Sequence, residues 1–178
     1  MEGERTAGPY VCGVDLGGKR ARLCFLDPAD AAHPLMVRFE PTPAQMKTLD
    51  YIEAARWAAG RAPNVWATLT PFVVWVEQPF GGNPRANHQL SVMAGALMAG
   101  LPREASVEFV SATEARQLVG LPVRAKKTVV IEWATVESDA DFVYDEHDAD
   151  AYVVARAILA HGSRSDAETP APEEPHAA

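Results

Sequence analysis

Residues 10–27 read YVCGVDLGGKRARLCFLD. Two apolar runs, 10–16 and 21–27, flank Gly17-Gly18-Lys19-Arg20, which is the pattern of a β-hairpin. A third short run at 35–39 (LMVRF) predicts a strand in series with the first two. Thr42-Pro43 then supplies an N-cap and a proline at the first helical position. Met46, Leu49, Ile52 and Ala55 form one stripe of a helix expected to run to about Ala59 and to stop at Gly60. Residues 60–71 are expected to be a loop. Residues 72–76 (FVVWV) form a continuous apolar run, as a strand buried on both faces should. A helix over 85–100 carries Leu90, Met93 and Leu97, and a short strand follows at 107–110. Ser111 to Glu114 is a capping-box pattern opening a helix to about Val119. Residues 125–137 are ambiguous: Val129, Val130 and Ile131 favour a strand, whereas Val129, Val130, Trp133 and Ala134 fit a helical stripe. Ala151, Val154, Ala155 and Ile158 mark a C-terminal helix expected to end at Gly162. Three strands followed by alternating helices and strands imply an α/β domain with a mixed sheet.

A length of 178 residues suits one domain. Apolar residues at 48% and charged residues at 22% exclude a disordered chain. No apolar run approaches the ~20 residues a membrane span needs, and the start of the chain lacks a signal-peptide core, so no membrane association and a cytoplasmic location are expected. Cys12 and Cys24 fall in apolar strand runs and read as free buried thiols of a reducing compartment. Residues 163–178 (SRSDAETPAPEEPHAA) hold −3 of the chain's net −8 and are expected to be a disordered acidic tail. Residues 1–9 are expected to be a flexible arm, leaving 10–162 as the folded domain. With several of its acids holding cations, that domain is closer to neutral, so the acidic total does not exclude DNA.

Acidic groups stand at three element ends: Asp15 at the first strand, Glu77 at the buried one, and Asp145-Glu-His-Asp-Ala-Asp150 at the start of the last helix. Taken singly, each has an ordinary role as a turn residue, a loop acid or a helix-dipole partner. Converging at one sheet edge, they would repel one another. Divalent cations remove that conflict, and oxygen ligands favour magnesium or manganese.

In this order the residues resemble the RuvC-type Holliday-junction resolvases of the RNase H-like superfamily, as found in phages or actinobacteria. The resemblance rests on VCGVDLGGKRARLCFLD, VVWVEQPFGGNPRANHQLSVMAGALMAGLP, SATEARQLVGLPVRAKKTVV and HDADAYVVARAI, which together span most of 10–161. It implies an RNase H-like α/β fold with a mixed five-stranded sheet flanked by helices, and it makes 125–137 a helix. It implies that Asp15, Glu77 and Asp150 bind metal, with His147 at a position held by Asp or His in relatives. Two Mg2+ ions, with Mn2+ as a substitute, are then expected to drive phosphodiester hydrolysis. Phe80 corresponds to an aromatic set against unpaired bases, and Lys126 and Lys127 to a backbone-contacting region. Pro79 before Phe80, and the loop at Leu121-Pro122, depart from the family's pattern and leave loop shape and sequence preference open.

The implied activity is resolution of four-way DNA junctions by paired symmetric nicks, with a homodimer matching the junction's symmetry. Lys19, Arg20, Arg22, Arg85, Arg124, Lys126 and Lys127 are expected to line the DNA-facing surface. On the long helix, Ala94, Gly95, Ala96 and Ala99 fit either close approach across a two-fold interface or ordinary core packing. A related YqgF-type nuclease acting on RNA or other branched nucleic acid remains an alternative, as does a catalytically silent binding module. Asp15-Leu-Gly-Gly also resembles the first phosphate loop of actin-like ATPases, which need a longer, two-domain chain. Positions three apart share a helix face while positions two apart do not. His147 is therefore expected on Asp150's side and Asp148 off it, making Asp148→Asn a mild change.

Overall fold

In a computed structural model the described residues are 10–78, 83–139 and 144–168, with side chains described through 162. Strands β1 (Val11–Leu16), β2 (Ala21–Asp27) and β3 (Asp30–Phe39) form an antiparallel meander. Strands β4 (Val73–Glu77) and β5 (Ser106–Val110) extend it by parallel pairing, giving a five-stranded mixed sheet of order β3-β2-β1-β4-β5. The central strands β1 and β4 are the near-continuous apolar runs, because both faces of the sheet are covered. Cys12, Val14, Leu16, Val74 and Val76 pack under the helices of one layer. Val11, Cys24, Leu26, Trp75 and Val110 pack under those of the other.

The first layer is built from α2 (Tyr51–Ala59), α3 (Ala62–Leu69) and α4 (Pro84–Met98). The helix expected over 43–59 is interrupted. Thr42 caps the short α1 (Pro43–Thr48), Leu49 turns extended, and a second capping box, Asp50 with Glu53, starts α2. The loop expected at 60–71 is largely α3. Its Pro63 occupies an early helical position that favours proline, and buried Trp66 donates Nε1–H to the Leu97 carbonyl of α4 at 2.7 Å. Cys12 and Cys24 are buried free thiols, both pushed up by burial.

The opposite layer holds α5 (Ala112–Leu118), α6 (Lys127–Glu137) and α7 (Glu146–Glu168). The ambiguous segment is helical, as the resemblance implied. Gly162 does not end α7: it keeps helical backbone instead of the left-handed conformation of a terminating glycine, which among the described glycines only Gly120 adopts. Residues 1–9 and 169–178 lie outside the described residues. Among the described residues no helix is long and apolar enough to cross a membrane.

Candidate active site

Side chains alternate along a strand. Cys12, Val14 and Leu16 pack on the α2–α4 side, so Val11, Gly13 and Asp15 face α7; by the same parity Trp75 and Glu77 face α7 on β4. The parallel register Val14↔Val76 therefore brings Asp15 and Glu77 to the C-terminal ends of neighbouring strands on one face. Gly13 decides how closely α7 lies over them. A Cβ there would stand 2.3 Å from both the Ala151 carbonyl oxygen and the Ala155 nitrogen, so only glycine admits the helix. With Ala151 and Ala155 seated on Gly13, the first turn of α7 reaches Asp15.

His147 Nδ1 lies 2.6 Å from Asp15 Oδ2. An ionised carboxylate only accepts, so Nδ1 carries the hydrogen, and a neutral ring presents its lone pair at Nε2. That Nε2 is buried and makes no hydrogen bond. The bond to Asp15 raises the imidazole above its ordinary 6.5, against the opposing effect of burial. Glu77 is pushed up to about 8, first by burial and then by the charges of Asp15 and Asp150. Asp150 is raised by burial and by Asp15, although Arg116 of α5 ion-pairs with it at 3.3 Å. Two acids raised by burial and by neighbouring carboxylates make this a candidate functional site.

Asp148 is fully buried and faces away from this cluster into a different set of partners. Arg38 donates Nε–H to Oδ1 at 3.1 Å and Nη2–H to Oδ2 at 2.5 Å. Arg22 Nε stands 3.0 Å from Oδ1 in an ion pair whose N–H is not aimed at the oxygen, and the Asp145 backbone N–H donates to Oδ2 at 3.2 Å. With both oxygens so engaged, Asp148 has no room for a metal. It lies off the face of Asp150 as helical spacing implies, but it is buried between two arginines instead of being a solvated first-turn acid. Arg22, expected on the DNA-facing surface, is likewise only 2% exposed; its Nη2 binds Glu40 and Asp145.

The remaining basic candidates are closer to solvent. Arg85, Arg124, Lys126 and Lys127 are exposed. Lys127 pairs with Glu146 at 2.5 Å, which joins the start of α6 to the start of α7. Lys19 Nζ donates to the Met46 carbonyl at 3.1 Å, and Arg20 pairs with Glu40 at 3.5 Å. Phe80 lies outside the described residues. Sequence reasoning missed Arg116 and Arg38. Their only signal was a lone arginine on a helix and another on a strand, and their acidic partners lie far along the chain.

As the side chains stand, no three His, Cys, Asp or Glu among the described residues converge on one ion position. Asp15 is engaged by His147 and Asp150 by Arg116. The donor set nevertheless fits a hard divalent cation: three carboxylates, two of them engaged by His147 and Arg116, and one imidazole whose buried Nε2 makes no hydrogen bond and stands 3.6 Å from Glu146 Oε1. A divalent ion beside Glu77 would offset both its burial and the charges of Asp15 and Asp150, which together hold it up.

A meander of three antiparallel strands continued by two parallel ones, with α7 laid across the centre, is the RNase H-like fold. No protein-family model matches the chain, and comparison with curated proteins finds no match. Among solved structures the fold is that of the RuvC-type Holliday-junction resolvases. The chain is similar to RuvC of Thermus thermophilus, at 20% identity over 90% of this chain and 97% of that one with a TM-score of 0.65. It is also similar to T. thermophilus RuvC in complex with Holliday junction substrate (20% identity, 91% and 98% covered, TM-score 0.66). The yeast mitochondrial Holliday junction resolvase Ydc2 is more distant, at 12% identity, 92% and 86% covered and TM-score 0.57.

Proposed function

We propose that the chain is a divalent-metal-dependent endonuclease that resolves four-way DNA junctions in recombination and repair, acting on cytoplasmic DNA as a homodimer. The observation that carries this reading is the nearness of Asp15, Glu77, His147 and Asp150 to one another at the C-terminal ends of the two central strands of an RNase H-like sheet. When bound, Mg2+ or Mn2+ supplies Lewis-acid chemistry, acidifying water and neutralising charge on the phosphate. Asp15, Glu77 and Asp150 would hold it, with His147 at the edge. The Nδ1 bond to Asp15 fixes the tautomer of His147, so its Nε2 can accept the proton of an attacking water or join the ligands. Arg116, freed from Asp150, remains beside the site as a cation for a phosphate oxygen.

Lys19, Arg20, Arg85, Arg124, Lys126 and Lys127 supply sequence-independent backbone contacts, and Phe80 a surface on which an unpaired base stacks. Two copies would meet across the outer face of α4, where Gly95 has open space beside it and Ala94 is taken up by the core. The neighbour bound to a Holliday junction supports a junction substrate over an RNA one.

The test is cleavage of synthetic four-way junctions with magnesium, compared with duplex, flap and RNA–DNA hybrid. Paired symmetric nicks in the junction alone are expected. Preference for the hybrid would favour the YqgF-type alternative, and no cutting of any substrate would overturn the nuclease reading.

A further inference from the structure

We infer that Asp148, gripped by Arg22 and Arg38, is a positioning residue that fixes the rotation of the first turn of α7 over the sheet. The inference rests on the proposed site. Its basis is one rung of the sheet: Asp15 pairs in register with Arg22, and Arg22 with Arg38. Side by side on one face, two arginines repel unless anions lie beside them; Glu40 and Asp145 take Arg22 Nη2, and Asp148 is the acid that pairs with both arginines. The strand rung that presents Asp15 therefore also anchors the helix that presents His147 and Asp150.

The rotation of this first turn matters because the seam directly beneath it is smooth, and the other tethers there, His147 to Asp15, Asp150 to Arg116 and Glu146 to Lys127, involve partly exposed groups. Gly13, Ala151 and Ala155 allow close approach without interlocking side chains; further along, Tyr152, Val154 and Ile158 key the helix into the core, and in its first turn Asp148 is the fully buried tether. Successive helical residues are about 100° apart, which puts Asp148 on the flank between the sheet-facing residues and β3, where a tether resists rotation best. Side-chain tips lie about 5–6 Å from the helix axis, so a rotation of about 20° carries them about 2 Å. A displacement of about 1 Å in a catalytic group is enough for a hundredfold loss. Asp145 completes the lock. Its Oδ1 accepts from the His147 and Asp148 backbone N–H groups at 2.9 and 2.8 Å, while its own N–H donates to Asp148. Asp148 touches neither metal nor substrate and acts through His147 and Asp150.

The test uses Arg38→Ala and Asp148→Asn in the full chain, with Asp15→Asn as a control. Mn2+ binding to the DNA-free protein is followed by calorimetry well below each variant's melting temperature. Both variants are expected to bind Mn2+ about ten- to a hundredfold more weakly, the range for losing an outer partner of a metal ligand. The kcat for junctions should fall with it, while junction affinity in Ca2+ stays within a few-fold. Arg38 is half exposed, so Arg38→Ala decides the matter should Asp148→Asn fail to fold. A lower melting temperature with wild-type Mn2+ affinity and kcat would make the network merely structural and overturn the inference. Wild-type protein that binds no Mn2+, or binds it equally well as Asp15→Asn, would instead overturn the reading of the site and take the inference with it.

Discussion

Replacing Glu77 by glutamine keeps the size of the side chain and removes its charge. In the metal-free protein this carboxyl is held at about 8 against an ordinary 4.5, by burial first and then by Asp15 and Asp150. The native state therefore keeps the proton through neutral pH, while the unfolded chain releases it near 4.5. Between those values the unfolded state binds fewer protons, so stability falls as pH rises and levels off above about 8. At 1.36 kcal/mol per unit, the loss is about 3 kcal/mol near pH 7. Glu77→Gln escapes that loss. In EDTA near pH 7 it should melt about 6–12 °C higher than wild type, at about 2–4 °C per kcal/mol for a chain of this size. His147 adds a slope of the same sign. Raised above 6.5, its contribution is full below that value and is lost as pH climbs through the folded one. That slope remains in the variant. Saturating magnesium should reverse the ranking, because ion binding stabilises only the protein that keeps its ligand. Scanning calorimetry from about pH 5 to 9, with EDTA and with magnesium, reads all of this. A metal-free wild type with a flat melting temperature over that range, or Glu77→Gln destabilised in EDTA, would refute the reasoning.

Asp15→Asn should abolish magnesium-dependent cutting in a gel assay yet still bind junctions in Ca2+, since affinity rests on backbone contacts and chemistry on the metals; robust cutting by this variant sinks the site. His147→Ala should slow single-turnover cleavage by at least about tenfold, the scale of a lost proton-transfer group. Gly13→Ala should cost about 1–3 kcal/mol or more through overpacking, because its Cβ would meet the α7 backbone, read by circular dichroism as a melting temperature lower by about 2–12 °C; an unchanged melt would show that the seam is loose. Phe80→Ala should slow junction cleavage through a lost stacking contact of about 1–3 kcal/mol, without a lower melting temperature.

What could be read from the sequence follows from which forces are local. The hairpin, the buried β4 and the helices with strong stripes or caps depend on alternation, turn chemistry and neighbours a few residues away. The break between α1 and α2 was equally local, in the Asp50–Glu53 box, but an apolar stripe crossing it hid the restart. The α3 helix was passed over because Pro63 and Asn64 look like loop residues, although Pro63 stands where helices begin and Trp66 needs a buried seat. Asp15, Glu77 and Asp150 were legible as acids at element ends, and helical spacing set His147 apart from Asp148. The counter-charges were not. Arg116 meets Asp150 across 34 residues and Arg38 meets Asp148 across 110, pairings that only the folded sheet and the crossing of α7 create.

The late arrival of α7 in the chain bears on how such a protein is made. A nascent chain interrupted before residue 146 holds both strand acids but neither His147 nor Asp150. It also lacks Asp148 to separate Arg22 from Arg38, and the alanine face that covers Gly13. The stretch of β1 and β2 that α7 covers is then exposed, with α5 and α6 alone on that side of the sheet. Translation thus places the assembly of the four-residue cluster last: a truncated or stalled product holds Asp15 and Glu77 but cannot bring His147 and Asp150 to them until α7 docks.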